Sequence, residues 1–508
     1  MINAQANMVY QADLDSLDAA RIAEFIRHHK ANQVPRLQML DQYYKAQDDG
    51  IMSPNNRRTE DGKSDHRAVH SFAKYIADFQ TAFSVGNPIN VKLPKESEEF
   101  DKLVRVNDMD AHNYDMFLDM TRYGRAYEYI YRGTDDEEHI VKLDPLNTFV
   151  IYDTSVDPQP IMAVRYHELQ DVNSDGVVIN KYVPETWTDT EHVVYKPTLA
   201  EAALIVDYSE TQVTFPVVEY KNNAFRLGDY ENVISLIDLY DAAQSDTANY
   251  MTDLNDAMLV IKGDIDTLFD DSMLLQGIDP NDEEQMKELA QNKLDMLKEM
   301  RSANMLLLKS GSTVTGAQTS VDAEYIHKEY DVNGAEAYKK RIAADIHKFS
   351  HTPDMTDENF AGNSSGVAME YKLLGTFELA STKRRAFNRG MYKRYAIVQR
   401  FETDLFDTWD IEAGDITFTY RDNLPTDDVT TVKTLVDAGA QIPQEYLYQF
   451  LPGVTDVQEI IDMMDKQREQ TANTMGGVMY GGQTDDGSDE EIRGRTVAEQ
   501  SDGSEEDN

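Results

Sequence analysis

The chain of 508 residues contains no cysteine. This absence excludes disulfides, iron–sulfur clusters, thiolate zinc sites and cysteine nucleophiles together, and it fits folding in a reducing cytoplasm. No apolar run reaches the roughly 18 residues that a transmembrane helix needs. The first residues, MINAQANMVYQADLD, lack the basic start and the apolar core of a signal peptide. We therefore expect a protein that folds in the cytoplasm and does not bind a membrane.

Positive charge is scarce as well. Lys and Arg number 48 against 92 Asp and Glu, which gives a formal net charge of −44. A protein that holds nucleic acid tightly has the opposite balance, because its affinity comes from neutralised phosphates. If this chain meets DNA, most of its surface repels the phosphates. The 41% of hydrophobic residues are nevertheless sufficient for packed cores, and the length predicts roughly two to four domains.

Two common catalytic motifs are also missing, because neither HExxH nor a Walker phosphate-binding loop occurs. DVNSDG (Asp171–Gly176) begins like a calcium loop, but its twelfth position is Tyr182 instead of Glu, so we interpret it as a β-hairpin turn. GNSSG (Gly362–Gly366) lacks a lysine, and we interpret it as a flexible loop with a helix cap. The pair His28 and His29 is predicted on a polar helix face. We predict no enzymatic activity, no cofactor and no metal site.

The order of periodic segments predicts an α+β fold. Helical spacing dominates the first 50 residues, and a helix closed by Gly86 is predicted from His66. Alternation with a period of two dominates residues 124–220, which predicts short and mainly antiparallel strands. Helical spacing returns in residues 227–262, where we predict one long helix.

An acidic insertion follows this long helix. Within it, Asn281–Arg301 is predicted to be a helix and Met305–Ser310 a strand. Near the C-terminus, Asp415–Pro425 is predicted to be a strand with a turn, and three short helices follow. From about residue 471 the chain is rich in Gly, Asp, Glu and Ser, which predicts a disordered acidic tail.

The chain is organised around a predicted helix–loop–helix. Ala335–Ser350 has apolar residues at helical spacing, and residues 365–401 predict a second, unusually long helix. Between them lies HTPDMTDENFAGNSSG (His351–Gly366), which has almost no periodicity. A long loop between two helices is more often functional than accidental. We therefore predict that this loop faces a channel.

One dense basic patch lies in the second helix, in the segment KRRAFNRGMYKR. It either contacts phosphates or pairs with acidic surfaces of other subunits. We favour inter-subunit pairing, because a protein of this net charge offers many acidic surfaces. The patch consists of Lys383, Arg384, Arg385, Arg389, Lys393 and Arg394.

Four blocks of the sequence resemble tailed-phage portal proteins, the head-to-tail connectors, of the type found in siphophages that infect Gram-positive hosts. In Phe215–Gly263, PVVEYKNN is followed by LIDLYD, by a single S and N, and by an apolar segment that ends in KG. HSFAKYIADFQTAFSVGNPI resembles the N-terminal helix and its GNP turn. SSGVAMEYKLLGTFELASTKRRAF resembles the helix after the tunnel loop, and FTYRDNLPTD resembles the strand and turn before the C-terminal helices. The resemblance covers roughly residues 35–470.

The resemblance implies a portal fold with a mixed α/β wing, a stem of long helices, a small α/β clip and a helical crown, assembled as a ring. The implied regions are the wing at 1–226 and 366–424, the stem helices at 227–262 and 333–350, the clip at 263–332, the tunnel loop at 351–365, the crown at 425–470 and the acidic tail at 471–508.

The resemblance also implies a function. Portal proteins form a ring of about twelve subunits at one capsid vertex, and the terminase large subunit packages double-stranded DNA through this ring, from which the DNA is later ejected. The implied partners are other copies of the chain, weakly bound DNA, the major capsid and scaffolding proteins, and a head-completion adaptor. The implied location is the virion, after assembly in the host cytoplasm. An acidic cytoplasmic scaffold or adaptor without a channel is the alternative hypothesis.

The tunnel loop is where the resemblance implies contact with DNA. Between Asp354 and Phe360 it contains three acids and no Lys or Arg, so it can touch DNA without binding it tightly. The residues predicted to line the channel are His351, Asp354, Met355, Thr356, Asp357, Glu358, Asn359, Phe360 and Asn363.

Overall fold

A computed structural model describes most of the N-terminal four fifths of the chain. The chain divides into a unit of residues 1–423 and a second unit of residues 424–508, and the architecture given below belongs to the first. The helices predicted for the crown and the predicted acidic tail lie outside the described residues, apart from a few isolated positions beyond residue 430. The described residues are 4–47, 49–53, 64–95, 97–172, 176–198, 203–253, 258–263, 282–302, 305–309, 322–326, 331–356, 366–406 and 412–422.

The described part of the first 50 residues is mainly helical, as predicted, although Tyr10–Gln11 forms a short strand. Helix α1 (Ala19–His28) begins after Asp18, whose carboxylate accepts a hydrogen bond from a backbone N–H of the first turn. A π-helical turn joins it to α2 (Val34–Tyr44), which has Pro35 in its first turn. A short helix, α3 (Asp49–Met52), follows.

His29 is buried, so its predicted position on a polar face is wrong. Its ring is 1% exposed, and Nδ1 lies 2.5 Å from the Tyr166 hydroxyl. Burial lowers the pKa of the imidazole to about 3, and the charge of Arg125 acts in the same direction. The residue falls in the π-helical turn, where the ordinary helical spacing behind the prediction does not hold.

The β region contains two mainly antiparallel sheets, as predicted. Their strands are β1 (Tyr10–Gln11), β3 (Arg125–Arg132), β4 (Glu138–Leu143), β5 (Thr148–Tyr152), β6 (Pro160–Val172), β7 (Val178–Trp187), β8 (Glu191–Tyr195), β9 (Val206–Thr211) and β10 (Val217–Lys221). One sheet has the order β10–β3–β4, and the other has the order β1–β5–β6–β7–β8–β9, in which only β1 and β5 run parallel.

The segment DVNSDG connects β6 to β7, and the antiparallel pairing of these strands confirms the predicted β-hairpin; residues 173–175 of the segment lie outside the described residues. The pairing extends to Val172 opposite Val178. The carboxylate of Asp171, the first residue of the segment, accepts a hydrogen bond from Lys181 Nζ at 2.6 Å across the hairpin. Gly176 has a φ of +76°, a conformation that favours glycine.

The largest core lies between a long C-terminal helix, α10 (Gly366–Phe406), and the three-stranded sheet. The Phe387 ring lies 4.9 Å from that of Tyr220, measured between centroids, and 5.3 Å from that of Phe117. Gly390 permits this close approach, because a Cβ there would overlap the Tyr220 ring. The other helices around this core are α4 (Phe72–Val85), α5 (Glu98–Val106) and α6 (Met109–Tyr123).

The predicted long helix at residues 227–262 is only partly correct. Helix α7 (Ile234–Asp253) covers its middle, whereas Met258–Gly263 forms strand β11. This strand pairs in parallel with β12 (Met305–Lys309) and antiparallel with β13 (Asp322–Ile326). Periodicity alone does not distinguish a short apolar run in a central strand from the end of a helix.

Several other predicted elements agree with the structure. Helix α8 (Glu283–Ser302) and β12 lie at the predicted positions in the insertion. Helix α9 (Val332–Phe349) precedes the predicted channel loop, and α10 follows it. Near the end of the unit, β14 (Thr417–Thr419) pairs with β2 (Asn90–Lys92). The mixed α and β architecture is thereby confirmed.

Candidate functional site

The predicted channel loop leaves α9 through a well-defined corner. Directly after the helix, Ser350 and Thr352 are each only 2% exposed. Between them, His351 has a φ of +53°, which is uncommon for a residue with a side chain. The Thr352 N–H donates to the His347 carbonyl at 3.1 Å and closes the last helical turn.

Two other helices hold this corner through side-chain hydrogen bonds. Gln80 of α4 donates from Nε2 to the His351 carbonyl and to Thr352 Oγ1, both at 3.1 Å. Thr376 of α10 donates to the same His351 carbonyl at 2.8 Å. The corner therefore joins α4, α9 and α10.

Beyond the corner the chain moves outward. Tyr75 of α4 donates from its hydroxyl to the Pro353 carbonyl at 2.8 Å, and burial raises the pKa of this tyrosine, so it stays a donor. The Asp354 carboxylate accepts from the N–H of Thr356 at 2.9 Å and from its hydroxyl at 2.6 Å. Met355 is 51% exposed. The other predicted tunnel-loop residues lie outside the described residues: Asp357, Glu358, Asn359, Phe360 and Asn363.

Helix α7 carries a polar stripe that faces inward. Asp241, Ser245 and Asn249 follow one another at four-residue spacing and are all fully buried, and Asp253 continues the spacing. An extended segment, residues 64–70, lies along this stripe, and we call it the strap. The helix predicted from His66 therefore begins later, at Phe72.

Backbone N–H groups of every second strap residue donate to the stripe. Two extended residues span about 6.6 Å and four helical residues span about 6 Å. The two-residue repeat of the strap and the four-residue repeat of the stripe therefore stay in register over several successive hydrogen bonds, which we call rungs. The rungs are His70 N to Asp241 Oδ1 at 3.1 Å, Ala68 N to Ser245 Oγ at 2.9 Å, His66 N to Asn249 Oδ1 at 2.5 Å and Ser64 N to Asp253 Oδ1 at 3.2 Å.

Part of the predicted basic patch is buried inside its own chain. Arg394 has no exposed surface, and its Nε and Nη2 donate to the Glu128 carboxylate at 2.5–3.0 Å. Its Nη1 donates to Asn113 Oδ1 at 2.7 Å, and the Tyr220 hydroxyl donates to Glu128 Oε1 at 3.0 Å. Burial acts to raise the pKa of Glu128, but the charge of Arg394 and the hydrogen bonds hold it at about 2.

Lys383 and Arg384 are committed to their own chain as well. Lys383 is 1% exposed and pairs with Asp229, and burial lowers the pKa of its ammonium group. Arg384 pairs with Asp422 at 2.7 Å. Internal carboxylates therefore already neutralise the charges of these two residues and Arg394, so the structure does not favour their predicted contact with phosphates or other subunits.

The other three residues of the patch point outward. Arg385, Arg389 and Lys393 are exposed and follow one another at four-residue spacing on α10. Their contact with a neighbouring subunit or with phosphates stays a prediction.

Sequence reasoning missed the corner anchors and the α7 stripe. Nothing in the sequence marks Tyr75 or Gln80 as partners of a loop more than 270 residues away, or Thr376 as a partner of the corner 25 residues before it. The stripe did leave a signal, namely four short polar residues at every fourth position of the helix. In the described part of the chain, no three His, Asp or Glu side chains are arranged to hold a metal ion. The helices described there include none long and apolar enough to cross a membrane.

Comparison with known proteins gives a consistent result. A family model described as "Phage portal protein, SPP1 Gp6-like" matches residues 23–474. The chain belongs to the phage portal protein family. It is 22% identical to the portal protein of Bacillus phage SPP1, in an alignment that covers 94% of this chain and 90% of that protein. It is 20% identical to the portal protein of Clostridium phage phiCD119, with 87% and 94% covered.

Membership of the portal family confirms the resemblance and establishes the function. The chain serves as a phage portal, the channel through which the genome is packaged into the capsid and leaves it, and it is a component of the virion. The alternative of an acidic adaptor without a channel is not favoured. Portal proteins are structural proteins, and the mixed α and β architecture described above is consistent with a portal fold.

Proposed function

We propose that about twelve copies of the chain close into a ring at one capsid vertex and that residues 351–365 of each copy border the channel. The anchored corner carries this proposal. A loop that touches moving DNA must pass force to the body of the protein, and a frayed helix end would yield instead. Here Gln80 and Thr376 together make three hydrogen bonds to the corner, each worth about 1 kcal/mol.

The size of such a ring follows from helix packing. Neighbouring helices pack about 8–10 Å apart, so twelve stem helices give a circumference of roughly 100–120 Å and a radius of about 16–19 Å. Side chains occupy about 5 Å on the inner side, which leaves an opening of roughly 22–28 Å, wide enough for one DNA duplex. In this assignment α7 and α9 belong to the stem, and α8 with β11–β13 belongs to the clip.

The charge of the protein supports passage of DNA rather than tight binding. A net charge of −44 per copy repels phosphates and keeps the duplex from adhering to the wall. The described part of the loop beyond the corner offers one carboxylate, a thioether and a hydroxyl, from Asp354, Met355 and Thr356. These groups provide steric contact without a cation to hold a phosphate.

The proposed ring would work together with other phage proteins. The terminase large subunit would drive DNA through the ring, the major capsid and scaffolding proteins would surround the wing, and a head-completion protein would close the channel after packaging. Assembly would take place in the host cytoplasm before the ring enters the virion. The predicted crown at 425–470 and the predicted tail at 471–508 belong to the same proposal.

The first test is the mass and symmetry of the purified protein, measured by native mass spectrometry and negative-stain images. A closed ring of about twelve copies with a central hole is expected. A stable monomer, both in solution and in assembled heads, would contradict the ring.

The second test alters the loop without disturbing its corner. Residues 355–363 are replaced by a Gly/Ser segment of equal length, which leaves Ser350, Thr352 and Pro353 in place. Rings should form normally, whereas the amount of DNase-protected DNA in filled heads should fall at least tenfold. The same replacement in the β6–β7 turn, at residues 173–175, serves as a matched control. Normal packaging by the loop variant would refute the role of the loop.

A further inference from the structure

The outward basic residues of α10 continue into a longer row. Arg385, Arg389, Lys393 and Arg400 fall within a sector of about 80° of the helix circumference, at 100° per residue, and we call them the outer stripe. All four are exposed. No acidic residue occurs between positions 379 and 400, although the chain carries 92 of them. An uninterrupted positive row on so acidic a protein indicates a surface that meets a negative partner.

A cleft of about 440 Å³ opens beside the end of this stripe. The buried side chains of Val150, Val217 and Ile397 line it, whereas the exposed Lys393 and Arg400 stand at its edge. The cleft also contains a carboxylate, that of Glu219, but it is buried and bound by Arg226 at 2.7 and 3.1 Å. The unbalanced charge at the cleft is therefore positive. An apolar floor with a cationic edge fits a segment that combines apolar side chains with carboxylates.

Strand β9 has that composition. All six of its residues are exposed, including the apolar Val206 and Tyr208 at 51% and 48%. Asp207 and Glu210 add two carboxylates to the same strand. Among the described strands, none pairs with its outer edge. Native proteins cover or blunt such edges, since an open edge with apolar side chains pairs with other chains.

The two surfaces lie at opposite sides of one sheet. The cleft is lined by β5, and the strand order places β9 four strands away, at the far edge. Four strand spacings correspond to about 19 Å. A ring is built from a heterologous contact, in which two different and complementary patches on opposite sides of a subunit meet. The outer stripe with its cleft and the edge strand β9 satisfy this requirement in charge, polarity and position.

We propose that β9 of one copy docks against the outer stripe and cleft of the next copy. The proposal rests on the ring of the proposed function. Asp207 and Glu210 meet the cations of the stripe, while Val206 and Tyr208 cover the apolar floor of the cleft.

Crosslinking tests the docking directly, because the chain has no cysteine of its own. The variant Y208C/A396C places one thiol on β9 and one at the cleft, and a short bis-maleimide should join successive copies into a ladder of oligomers on a denaturing gel. Each single-cysteine variant should give dimers at most. The pair Y208C/R27C, whose second thiol lies on α1, is the matched control. Intact rings that yield no ladder with Y208C/A396C overturn the proposal.

A charge swap tests the same contact without a crosslinker. R389E/K393E should weaken association between copies at least tenfold, and D207K/E210K should do the same. The combined four-fold variant should recover association to within about threefold of the wild type. R21E/R27E, two exposed reversals on α1, should have no effect. Failure of the combined variant to recover overturns the docking.

DNA is the competing partner of the outer stripe, and it would give a different result with the R389E/K393E variant. If R389E/K393E leaves the rings intact but weakens binding of a 30-base-pair duplex at low salt, the stripe contacts phosphates and the docking is refuted. The wild-type ring is measured first in every case. A wild type that forms no ring contradicts the proposed function itself, whereas a normal ring without ladder or rescue contradicts only the docking of β9.

Discussion

Replacing Arg394 by Met tests whether the basic patch of α10 divides into residues that pair inside their own chain and residues that are exposed. Arg394 lies with no exposed surface between Glu128 and Asn113, and its guanidinium donates to both. Methionine retains much of the apolar stem but removes the charge and every donor. The Glu128 carboxylate would then stay buried with only His112 and the Tyr220 hydroxyl beside it.

The expected cost is large because the partner remains. Removing one member of a buried ion pair costs about 3–5 kcal/mol, since the other charge is left uncompensated. The lost hydrogen bond to Asn113 adds about 1 kcal/mol. We expect R394M to lower the free energy of unfolding by about 4 kcal/mol at pH 7. R394M/E128Q should cost clearly less than R394M alone, because the carboxylate is then absent, with a coupling energy of about 2 kcal/mol.

Urea unfolding of the unassembled chain, followed by circular dichroism, measures these differences. R389M is the matched control, because Arg389 is exposed on the same helix and its replacement should change stability by less than about 0.5 kcal/mol. Equal effects of R394M and R389M would refute the division of the patch. A loss in R394M/E128Q as large as the sum of both single losses would show that the two side chains do not interact.

Three further predictions concern the corner, the strap and acid pH. Q80L should speed hydrogen exchange of residues 350–356 about fivefold, because it removes two hydrogen bonds from the corner. N249L should speed tryptic cleavage after Arg67 about tenfold, because it removes a rung of the strap. The pKa of Glu128 is held at about 2 in the folded chain, so its contribution is present above about pH 4.5 and is lost as the pH falls toward 2. The difference in unfolding free energy between wild type and E128Q should be about 2 kcal/mol smaller at pH 3 than at pH 7.

For each of these predictions, one specific result would contradict it. Unchanged exchange in Q80L would mean that Thr376 alone holds the corner. The exposed neighbour Asp246 supplies the control for the strap, and cleavage that is equally fast in D246N and N249L would remove the rung as the cause. A difference between wild type and E128Q that stays constant with pH would show that Glu128 is not ionised in the folded chain.

The sequence predicted those parts of the structure that depend on local periodicity. Alternating residues from 124 to 220 indicated antiparallel strands, and the helices on both sides of the channel loop follow from 3.6-residue spacing. The end of α7 did not follow in the same way. MLVIKG is apolar at nearly every position, and only its pairing with β12 and β13, which come from a distant insertion, makes it a strand.

The basic patch could not be divided from the sequence, because burial of a charge depends on its partner. Glu128 lies 266 positions away from Arg394 and Asp229 lies 154 positions away from Lys383. Helical spacing assigns Lys383 and Arg394 to one side of α10 and Arg389 to another, but it does not say which side faces the sheet. The inner charges are tolerated only because each meets a carboxylate, and no local pattern reveals that pairing.

The polar stripe of α7 is a signal that the sequence contains but that the sequence prediction did not use. Apolar spacing is normally taken as the buried face of a helix, and polar spacing as the solvated face. In α7 the most deeply buried positions include Asp241, Ser245 and Asn249, because the strap covers them with backbone N–H groups. A helix can satisfy an extended backbone in this way only with short acceptors at every fourth residue, since longer side chains would hold the strap away. Asp241, Ser245 and Asn249 belong to the block Phe215–Gly263 that resembles portal proteins. Their presence there is therefore explained by hydrogen bonds to the backbone of the strap, which do not depend on the side chains that the strap carries.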